Sequence, residues 1–201
     1  MCGIVGYIGN QKVIPILLGS LERLEYRGYD SSGIACLGAN GDPIAYFKEK
    51  GKLSVLKNLL NGYASTSSVG IGHTRWATHG VPSRINAHPH LDAEKEFAVV
   101  HNGIIENYSE LRSDLIQKGY QFLSETDTEV LVHLIRDSYK GDFIQAFVKA
   151  VQKLRGFFSC AAVSNRHPDM ILAFRRSNPL VIGVGKNENF LASDVAPLLS
   201  F

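Results

Sequence analysis

The chain has 201 residues, of which 45% are hydrophobic and 20% are charged, a composition typical of a folded protein rather than a disordered one. Its 21 Lys and Arg residues nearly balance its 19 Asp and Glu residues, so charge predicts neither a nucleic-acid nor an anionic membrane partner. No apolar run approaches the roughly 18–20 residues that a membrane span requires.

Hydrophobic periodicity and turn signals predict strands at both ends of the chain and a helical block between them. In chain order, the predicted elements are a strand over 3–8, a helix over 12–26, strands over 32–37 and 44–48, a helix over 53–60, strands over 69–75 and 97–101, helices over 108–118, 128–139 and 142–154, and strands over 157–163, 170–174, 180–184 and 190–192. A turn over 38–43 joins the second and third strands. This order favours helices packed against stacked sheets, an α+β fold, over a doubly wound fold.

The length requires no more than one core, and we expect one domain over residues 1–201. The last six residues, 196–201, remain apolar, with no polar tail or helix cap after them. The sequence therefore predicts a piece of a longer polypeptide, truncated at its C-terminal end.

Cysteine usage predicts a cytoplasmic, reducing compartment. Cys2, Cys36 and Cys160 are too few and too widely spaced to form a disulfide framework, and no basic, apolar signal peptide precedes the first strand. Cys36 and Cys160 lie among apolar residues and are interpreted as small buried hydrophobic side chains.

Cys2 differs from the other cysteines because removal of Met1 would give it both a thiol and a free α-amine. The unperturbed pKa values are about 8.5 for a thiol and about 7.7–8.0 for an α-amine, so the amine can act as a general base near neutral pH. Such a residue can be a nucleophile without a histidine partner. On its own, however, Cys2 is better explained as an ordinary residue near the start of the chain.

Two arginine-containing segments are candidates for substrate binding. The end of the strand over 69–75 and the segment after it carry a group of polar and aromatic side chains: Arg75, Trp76, Thr78 and His79. The fork of donors on Arg75 matches a carboxylate. Arg27 lies in a second segment, 24–33, for which a helix C-terminus followed by Gly28 is a sufficient structural explanation.

Asn102, Gly103 and Asp127 each allow a catalytic and a structural interpretation. A side-chain amide at Asn102 and a backbone N–H at Gly103 can form an oxyanion hole, but Asn-Gly after a strand is also a common turn. Asp127 can bind an ammonium group, or it can simply favour a helix N-terminus, where Thr126 and Glu129 fit a capping box.

Taken together and in this order, these motifs resemble one family. The segments that carry the resemblance are CGIVG at 2–6, EYRGYDS at 25–31, HTRWATHG at 73–80, NAHPH at 86–90, HNGIIEN at 101–107 and SETDTE at 124–129. The chain resembles the class II, N-terminal-nucleophile glutamine amidotransferases, and within them the glutaminase domain of glutamine:fructose-6-phosphate aminotransferases (glucosamine-6-phosphate synthases). The resemblance covers essentially all 201 residues.

The resemblance implies a four-layer αββα sandwich of the Ntn-hydrolase type, in which outer helices cover two stacked antiparallel sheets. It also implies that Cys2 is the nucleophile and that its own α-amine is the base, provided that Met1 has been removed. Asn102 and the backbone amide of Gly103 would then form the oxyanion hole.

The same resemblance implies how glutamine is held. Arg75, helped by Thr78 and His79, would bind the α-carboxylate. Asp127, together with the Gly103 carbonyl, would bind the α-ammonium. Two further residues would line or support the site: Trp76 and Arg27.

The implied reaction converts glutamine to glutamate and ammonia through a γ-glutamyl thioester and uses no cofactor and no metal. In the full-length enzyme, sugar-isomerase domains would use the ammonia to convert fructose 6-phosphate into glucosamine 6-phosphate. The full-length enzyme would be a homo-oligomer, with neither nucleic acid nor membrane as a partner.

Two other functions remain open from the residues alone. A metal-dependent hydrolase could draw ligands from the segment around His88, His90 and Asp92, with further histidines nearby in sequence: His73, His79 and His101. A non-catalytic glutamine sensor would need Arg75 and Asp127 but no nucleophile.

Overall fold

The computed structural model describes residues 2–38, 41–77 and 80–200, apart from the side chain of Ser200. Its strands are β1 (Gly3–Ile8), β2 (Ser31–Cys36), β3 (Ala45–Lys50), β4 (Val69–Arg75), β5 (His90–Leu91), β6 (Phe97–Gly103), β7 (Phe158–Ser164), β8 (His167–Arg176), β9 (Val181–Val184) and β10 (Asn189–Ala192). Its α-helices are α1 (Val13–Glu22), α2 (Leu53–Leu59), α3 (Tyr108–Gln117), α4 (Glu129–Ser138) and α5 (Phe143–Lys153), and 3-10 helices cover Glu25–Arg27 and Ala196–Ser200.

These strands form two antiparallel sheets. One sheet has the order β3-β2-β4-β1-β10-β9, and the other has the order β5-β6-β7-β8. β2 and β3 pair as a hairpin, with Cys36 opposite Ala45, as the turn signal predicts. Part of that turn, residues 39 and 40, lies outside the described residues.

Three buried clusters separate four layers of structure. One cluster joins α1 and α2 to the six-stranded sheet and includes Val5, Leu17 and Leu56. A second lies between the two sheets, and a third joins α3, α4 and α5 to the four-stranded sheet. The α+β sandwich of stacked antiparallel sheets with outer helices is thereby confirmed.

The central strands read as continuous apolar runs because both of their faces are buried. In β6, Phe97 and Val99 pack toward the helices, whereas Ala98 and Val100 pack toward the other sheet. Small residues on the inner face suit the space between two sheets, and larger ones reach the helix layer.

Three local predictions differ from the structure. α1 ends at Glu22 rather than Tyr26, because the chain turns at Arg23 and then forms the separate 3-10 helix Glu25–Arg27. The strand β5 (His90–Leu91) is absent from the predicted elements, because two residues are too few to show an alternating pattern of apolar and polar side chains.

The predicted capping box at Thr126 and Glu129 is also wrong. α4 begins at Glu129, and its N-cap residue, Thr128, makes no side-chain cap. The Glu129 carboxylate instead accepts hydrogen bonds from the backbone amides of Leu123 and Ser124, at 2.8 and 2.7 Å. Among the described residues, no helix is long and apolar enough to cross a membrane.

Candidate active site

Cys2 directly precedes β1, an inner strand of the six-stranded sheet. The neighbouring Gly3 is paired with Thr74 of β4. A Cβ atom on Gly3 would approach Thr74 Oγ1 to 2.6 Å and Leu24 Cβ to 2.9 Å, so glycine allows β1 to pack closely at this point. This packing places Cys2 beside the residues that follow β4.

The thiol of Cys2 is in contact with the backbone of Trp76. The Trp76 amide donates to Sγ at 3.2 Å, and Sγ lies 3.4 Å from the Trp76 carbonyl oxygen, to which the thiol donates. Burial raises the pKa of the Cys2 thiol above its ordinary value, although the Trp76 amide and the charge of Arg75 oppose this shift. The thiol is therefore protonated at neutral pH and needs a base to become a nucleophile.

The carbonyl oxygen of Cys2 accepts two hydrogen bonds from distant parts of the chain. Arg27 Nε donates at 3.2 Å, and Asn102 Nδ2 donates at 3.1 Å. Arg27 is itself held by Asp194, whose carboxylate lies 2.9 Å from Nη1 and 2.6 Å from the hydroxyl of Tyr26. Arg27 thus supports the site from behind Cys2.

Asn102 and Gly103 end β6, in the four-stranded sheet. The Asn102 side chain reaches across to the Cys2 carbonyl, so the two sheets meet at this point. Gly103 has a φ of +114°, and a Cβ atom there would lie 2.3 Å from the carbonyl oxygen of Phe157. Both facts require glycine at this position.

Arg75 is the last residue of β4 and is only 4% exposed. Its Nη2 donates to the Gly80 carbonyl at 3.2 Å. Burial lowers the pKa of Arg75, while the charges of Asp30, Cys2 and Asp127 raise it. Because a guanidinium stays charged in proteins, Arg75 presents a buried positive charge beside the thiol.

Asp127 lies in the loop before α4 and is 4% exposed. Its Oδ2 accepts a hydrogen bond from the Ile105 amide at 2.8 Å, which ties the loop to the end of β6. Asp127 therefore puts a carboxylate on the side of the site opposite β4.

Cys2, Arg75, Gly103 and Asp127 line one small cavity of about 20 Å³. The side chains or backbone of nine residues line it: Cys2, Arg75, Trp76, His88, His101, Gly103, Thr126, Asp127 and Thr128. A volume of this size holds about one water molecule. A larger groove of about 610 Å³, lined in part by Asp92 and Arg136, contains none of the predicted site residues.

The structure thus brings together Cys2, Asn102, Gly103, Arg75 and Asp127, with Arg27 behind them. Trp76 contacts Cys2 through its backbone, while its indole is 47% exposed and packs edge-on against Tyr29 at 5.3 Å. Two predicted residues, Thr78 and His79, lie outside the described residues.

Several supporting residues carry no role in the sequence prediction. The carboxylate of Asp30 accepts hydrogen bonds from the Ala77 amide and from the Ser31 hydroxyl, and its charge faces Arg75. Asp194 holds Arg27 across 167 residues of sequence. Asp30 could have been noticed within the EYRGYDS segment, whereas nothing in the sequence around Asp194 signals its contact.

A group of buried histidines lies beside the site, and two of them, His88 and His101, line the cavity. His73 and His88 stack at 4.1 Å, and the Thr128 hydroxyl lies 2.9 Å from both His88 Nε2 and His101 Nδ1. Burial lowers the pKa of His88 and His90 well below the ordinary value. Within the described residues, no three His, Cys, Asp or Glu side chains are grouped as metal ligands.

Comparison with known proteins identifies the family. A model of the glutamine amidotransferase domain matches residues 73–200. This chain belongs to the glutamine amidotransferase family. The family resemblance read from the sequence motifs is confirmed.

Proteins that match this chain over all of its length give a more specific comparison. The amidotransferase domain is similar over all of its length to glutamine–fructose-6-phosphate aminotransferases (isomerizing) of Aquifex aeolicus, at 51% identity, and of Symbiobacterium thermophilum, at 54%. The corresponding enzyme of Thermotoga maritima is 53% identical. The chain spans 34%, 33% and 33% of these proteins, about one third of their length.

Solved structures agree on the fold. The glutamine phosphoribosylpyrophosphate (PRPP) amidotransferase from B. subtilis, complexed with ADP and GMP, superposes with a TM-score of 0.82 at 25% identity. That match covers 98% of this chain and 43% of the other. A second structure, described as the allosteric regulatory enzyme of purine biosynthesis, has a TM-score of 0.84 at 24% identity and supports the fold alone.

Proposed function

We propose that this amidotransferase domain hydrolyses the side-chain amide of glutamine through a γ-glutamyl thioester on Cys2. The observation that carries the proposal is the single cavity in which a thiol, an arginine and a carboxylate lie together at Cys2, Arg75 and Asp127. These three groups match the reacting amide, the α-carboxylate and the α-ammonium of glutamine in chemical type.

The first half of the reaction forms the thioester. With Met1 removed, the α-amine of Cys2 takes the thiol proton, and the sulfur attacks the amide carbon of glutamine. The negative charge on the amide oxygen is stabilised by Asn102 Nδ2 and the Gly103 amide. The α-ammonium of Cys2 then returns the proton to the departing nitrogen, so that ammonia leaves and the thioester remains.

The second half releases glutamate. The free α-amine of Cys2 takes a proton from water, and the hydroxide attacks the thioester carbon. The same donors, Asn102 and Gly103, stabilise the second tetrahedral intermediate. When it collapses, the sulfur of Cys2 leaves as a thiolate and takes the proton back from the α-ammonium.

Charge in the site fits the substrate as a zwitterion. Arg75 offers a fork of donors for a carboxylate, which a lysine would not. Asp127, fixed by the Ile105 amide, offers a carboxylate for the ammonium. The charge of Asp30 partly offsets that of Arg75 when glutamine is absent.

The length of the curated relatives supports a further step in the full-length protein. We propose that the polypeptide beyond residue 201 contains sugar-isomerase domains and that ammonia reaches fructose 6-phosphate there, which yields glucosamine 6-phosphate. The relatives' names support this assignment, since they describe glutamine–fructose-6-phosphate aminotransferases. Under this proposal, residues 1–201 are the greater part of the glutaminase domain, and the full-length enzyme is a homo-oligomer.

The test is release of glutamate and ammonia from glutamine by the intact polypeptide. The expected result is glutaminase activity that Cys2→Ser and Cys2→Ala each abolish, because neither variant provides a thiol. A Cys36→Ser variant controls for loss of an unrelated cysteine and keeps its activity.

Three outcomes would contradict the proposal, each in a different way. Equal ammonia release by wild type and Cys2→Ala would exclude Cys2 as the nucleophile. Glutamine binding without any turnover would favour the sensor. Bound stoichiometric zinc, together with activity that chelation removes and Cys2→Ala retains, would favour the metal hydrolase.

A further inference from the structure

We propose that His73 is a positioning residue for the glutaminase reaction, because its Nε2–H fixes the orientation of the Asn102 carboxamide. This inference rests on the proposed function, in which Asn102 stabilises the oxyanion. His73 itself does not line the substrate cavity.

His73 lies inside the sandwich, directly behind the site. It belongs to β4, where it is paired with Ile4 of β1 on one side and Gly33 of β2 on the other. Its side chain is fully buried, and its Nε2 lies 2.9 Å from Asn102 Oδ1 and 3.0 Å from the His101 carbonyl oxygen. One ring nitrogen thus links β4 to the end of β6 in the other sheet.

The His101 carbonyl determines the tautomer of His73. A carbonyl oxygen only accepts hydrogen bonds, so the nitrogen facing it must carry the proton. His73 therefore has its proton on Nε2, and this proton is shared between the His101 carbonyl and Asn102. Among the described residues, His73 Nδ1 has no hydrogen-bond partner, as suits an unprotonated nitrogen.

The protonated Nε2 in turn determines which way the Asn102 carboxamide points. A carboxamide can rotate by half a turn with little change in shape, exchanging its oxygen and nitrogen. If Asn102 turned its Nδ2 toward His73, two N–H donors would face each other, so Asn102 Oδ1 faces the His73 Nε2–H. Its Nδ2 then faces Cys2, where one N–H donates to the Cys2 carbonyl at 3.1 Å. The second N–H remains for the oxyanion.

The surroundings keep His73 neutral and its ring fixed. Burial lowers the pKa of His73 to about 3, so the ring is uncharged at neutral pH. The ring of His88 stacks on it with a centroid distance of 4.1 Å and an angle of 28° between the planes. A neutral, immobile donor can orient Asn102 but cannot exchange protons with the substrate.

The test compares two amide variants of His73 in the intact polypeptide. Glutamine is long enough to place an N–H near the position of Nε2, whereas asparagine is one methylene too short. We expect His73→Gln to keep kcat within about threefold of wild type. We expect His73→Asn to lower kcat roughly 10- to 100-fold, which is part of the 10²–10³-fold typical for loss of a whole oxyanion donor. The KM for glutamine should change less than about twofold in both.

A double-mutant cycle separates positioning from a general structural role. If His73 acts only through Asn102, adding His73→Asn to Asn102→Ala should lower kcat no further than Asn102→Ala alone, within about twofold. His133→Asn is the matched control, since His133 is a buried histidine that has no contact with Asn102 and does not line the cavity. We expect His133→Asn to leave kcat unchanged.

The contrary outcomes are distinct. Equal losses of kcat in His73→Gln and His73→Asn, or losses that multiply in the double variant, would overturn the positioning role. This comparison holds even where both variants lower the unfolding temperature, since kcat is measured per active site titrated by a cysteine-directed electrophile. If the wild type releases no ammonia in a Cys2-dependent manner, the proposed function fails, and this inference fails with it.

Discussion

Replacing Arg75 with alanine should mainly weaken glutamine binding. Arg75 is 4% exposed, ends β4 and lines the Cys2 cavity opposite Asp127. In the proposed complex its guanidinium donates two hydrogen bonds to the α-carboxylate. That group carries the same charge in glutamine, in the transition state and in the thioester, so its binding energy is uniform along the reaction.

The expected size follows from the type of contact. One hydrogen bond to a charged group contributes about 1.5–3 kcal/mol. For the two hydrogen bonds together, we expect a contribution of about 2–4 kcal/mol, because the Gly80 carbonyl and the charge of Asp30 already stabilise part of the guanidinium when glutamine is absent. At about 1.4 kcal/mol per tenfold, the KM for glutamine should rise roughly 30- to 700-fold, with a much smaller change in kcat.

The assay is steady-state glutamate formation over a wide range of glutamine concentration. Arg75→Lys keeps the charge but loses the fork, and it should give an intermediate KM. Arg84→Ala is the control, because Arg84 is an exposed arginine of the neighbouring loop that does not line the cavity. A substrate whose α-carboxylate is replaced by an amide should be poor for the wild type and no worse for Arg75→Ala. An unchanged KM in Arg75→Ala would refute the carboxylate role.

Two further predictions concern the thiols and one buried acid. A glutamine-mimicking electrophile should add once, to Cys2, because burial raises the pKa of the Cys36 and Cys160 thiols to about 12. The mass of the labelled chain should also show that Met1 is absent. An adduct that still forms in Cys2→Ser would contradict this prediction. Burial also raises the pKa of Asp92 to about 6, so the folded state loses stability as pH rises from about 4 through 6. Asp92→Asn should therefore raise the unfolding temperature more at pH 8 than at pH 4, while keeping an oxygen for the Glu96 and Phe97 amides; an equal shift at both pH values would be the wrong result.

The layers of the fold could be predicted because buried faces require apolar residues at the spacing of a strand or a helix. Phe97 through Val100 read as a strand since both faces of β6 are covered, and α5 shows apolar residues at helical spacing. The end of α1 could not be predicted in this way. Leu24 continues the helical spacing from Leu21 and is fully buried, yet the helix ends at Glu22. A buried side chain at the right interval does not require the backbone to remain helical.

The residues of the site also fall into two groups: those that the sequence could predict and those that it could not. The residues proposed to contact the substrate belong to short motifs with recognisable chemistry, such as Asn102-Gly103, and the family resemblance suggests their roles. The residues that hold them in place do not belong to such motifs. His73 acts through Asn102, and Asp194 acts through Arg27, in contacts separated by 29 and 167 residues of sequence. Such contacts depend on the register of β4 against β1 and on the stacking of the sheets, which no local pattern specifies.

The two hydrogen bonds to the Cys2 carbonyl explain why these supports matter for chemistry. In the proposed reaction, Cys2 supplies its own base and must hold its sulfur and its α-amine in one fixed geometry, yet it lies just before the first residue of β1, near a chain end where chains ordinarily fray. Arg27, from the 3-10 helix Glu25–Arg27, and Asn102, from β6, both donate to the carbonyl of that residue, at 3.2 and 3.1 Å. Because Asn102 is also the proposed oxyanion donor, one carboxamide sets the distance between the nucleophile and the charge that it creates. A change that rotates this carboxamide should therefore disturb both at once.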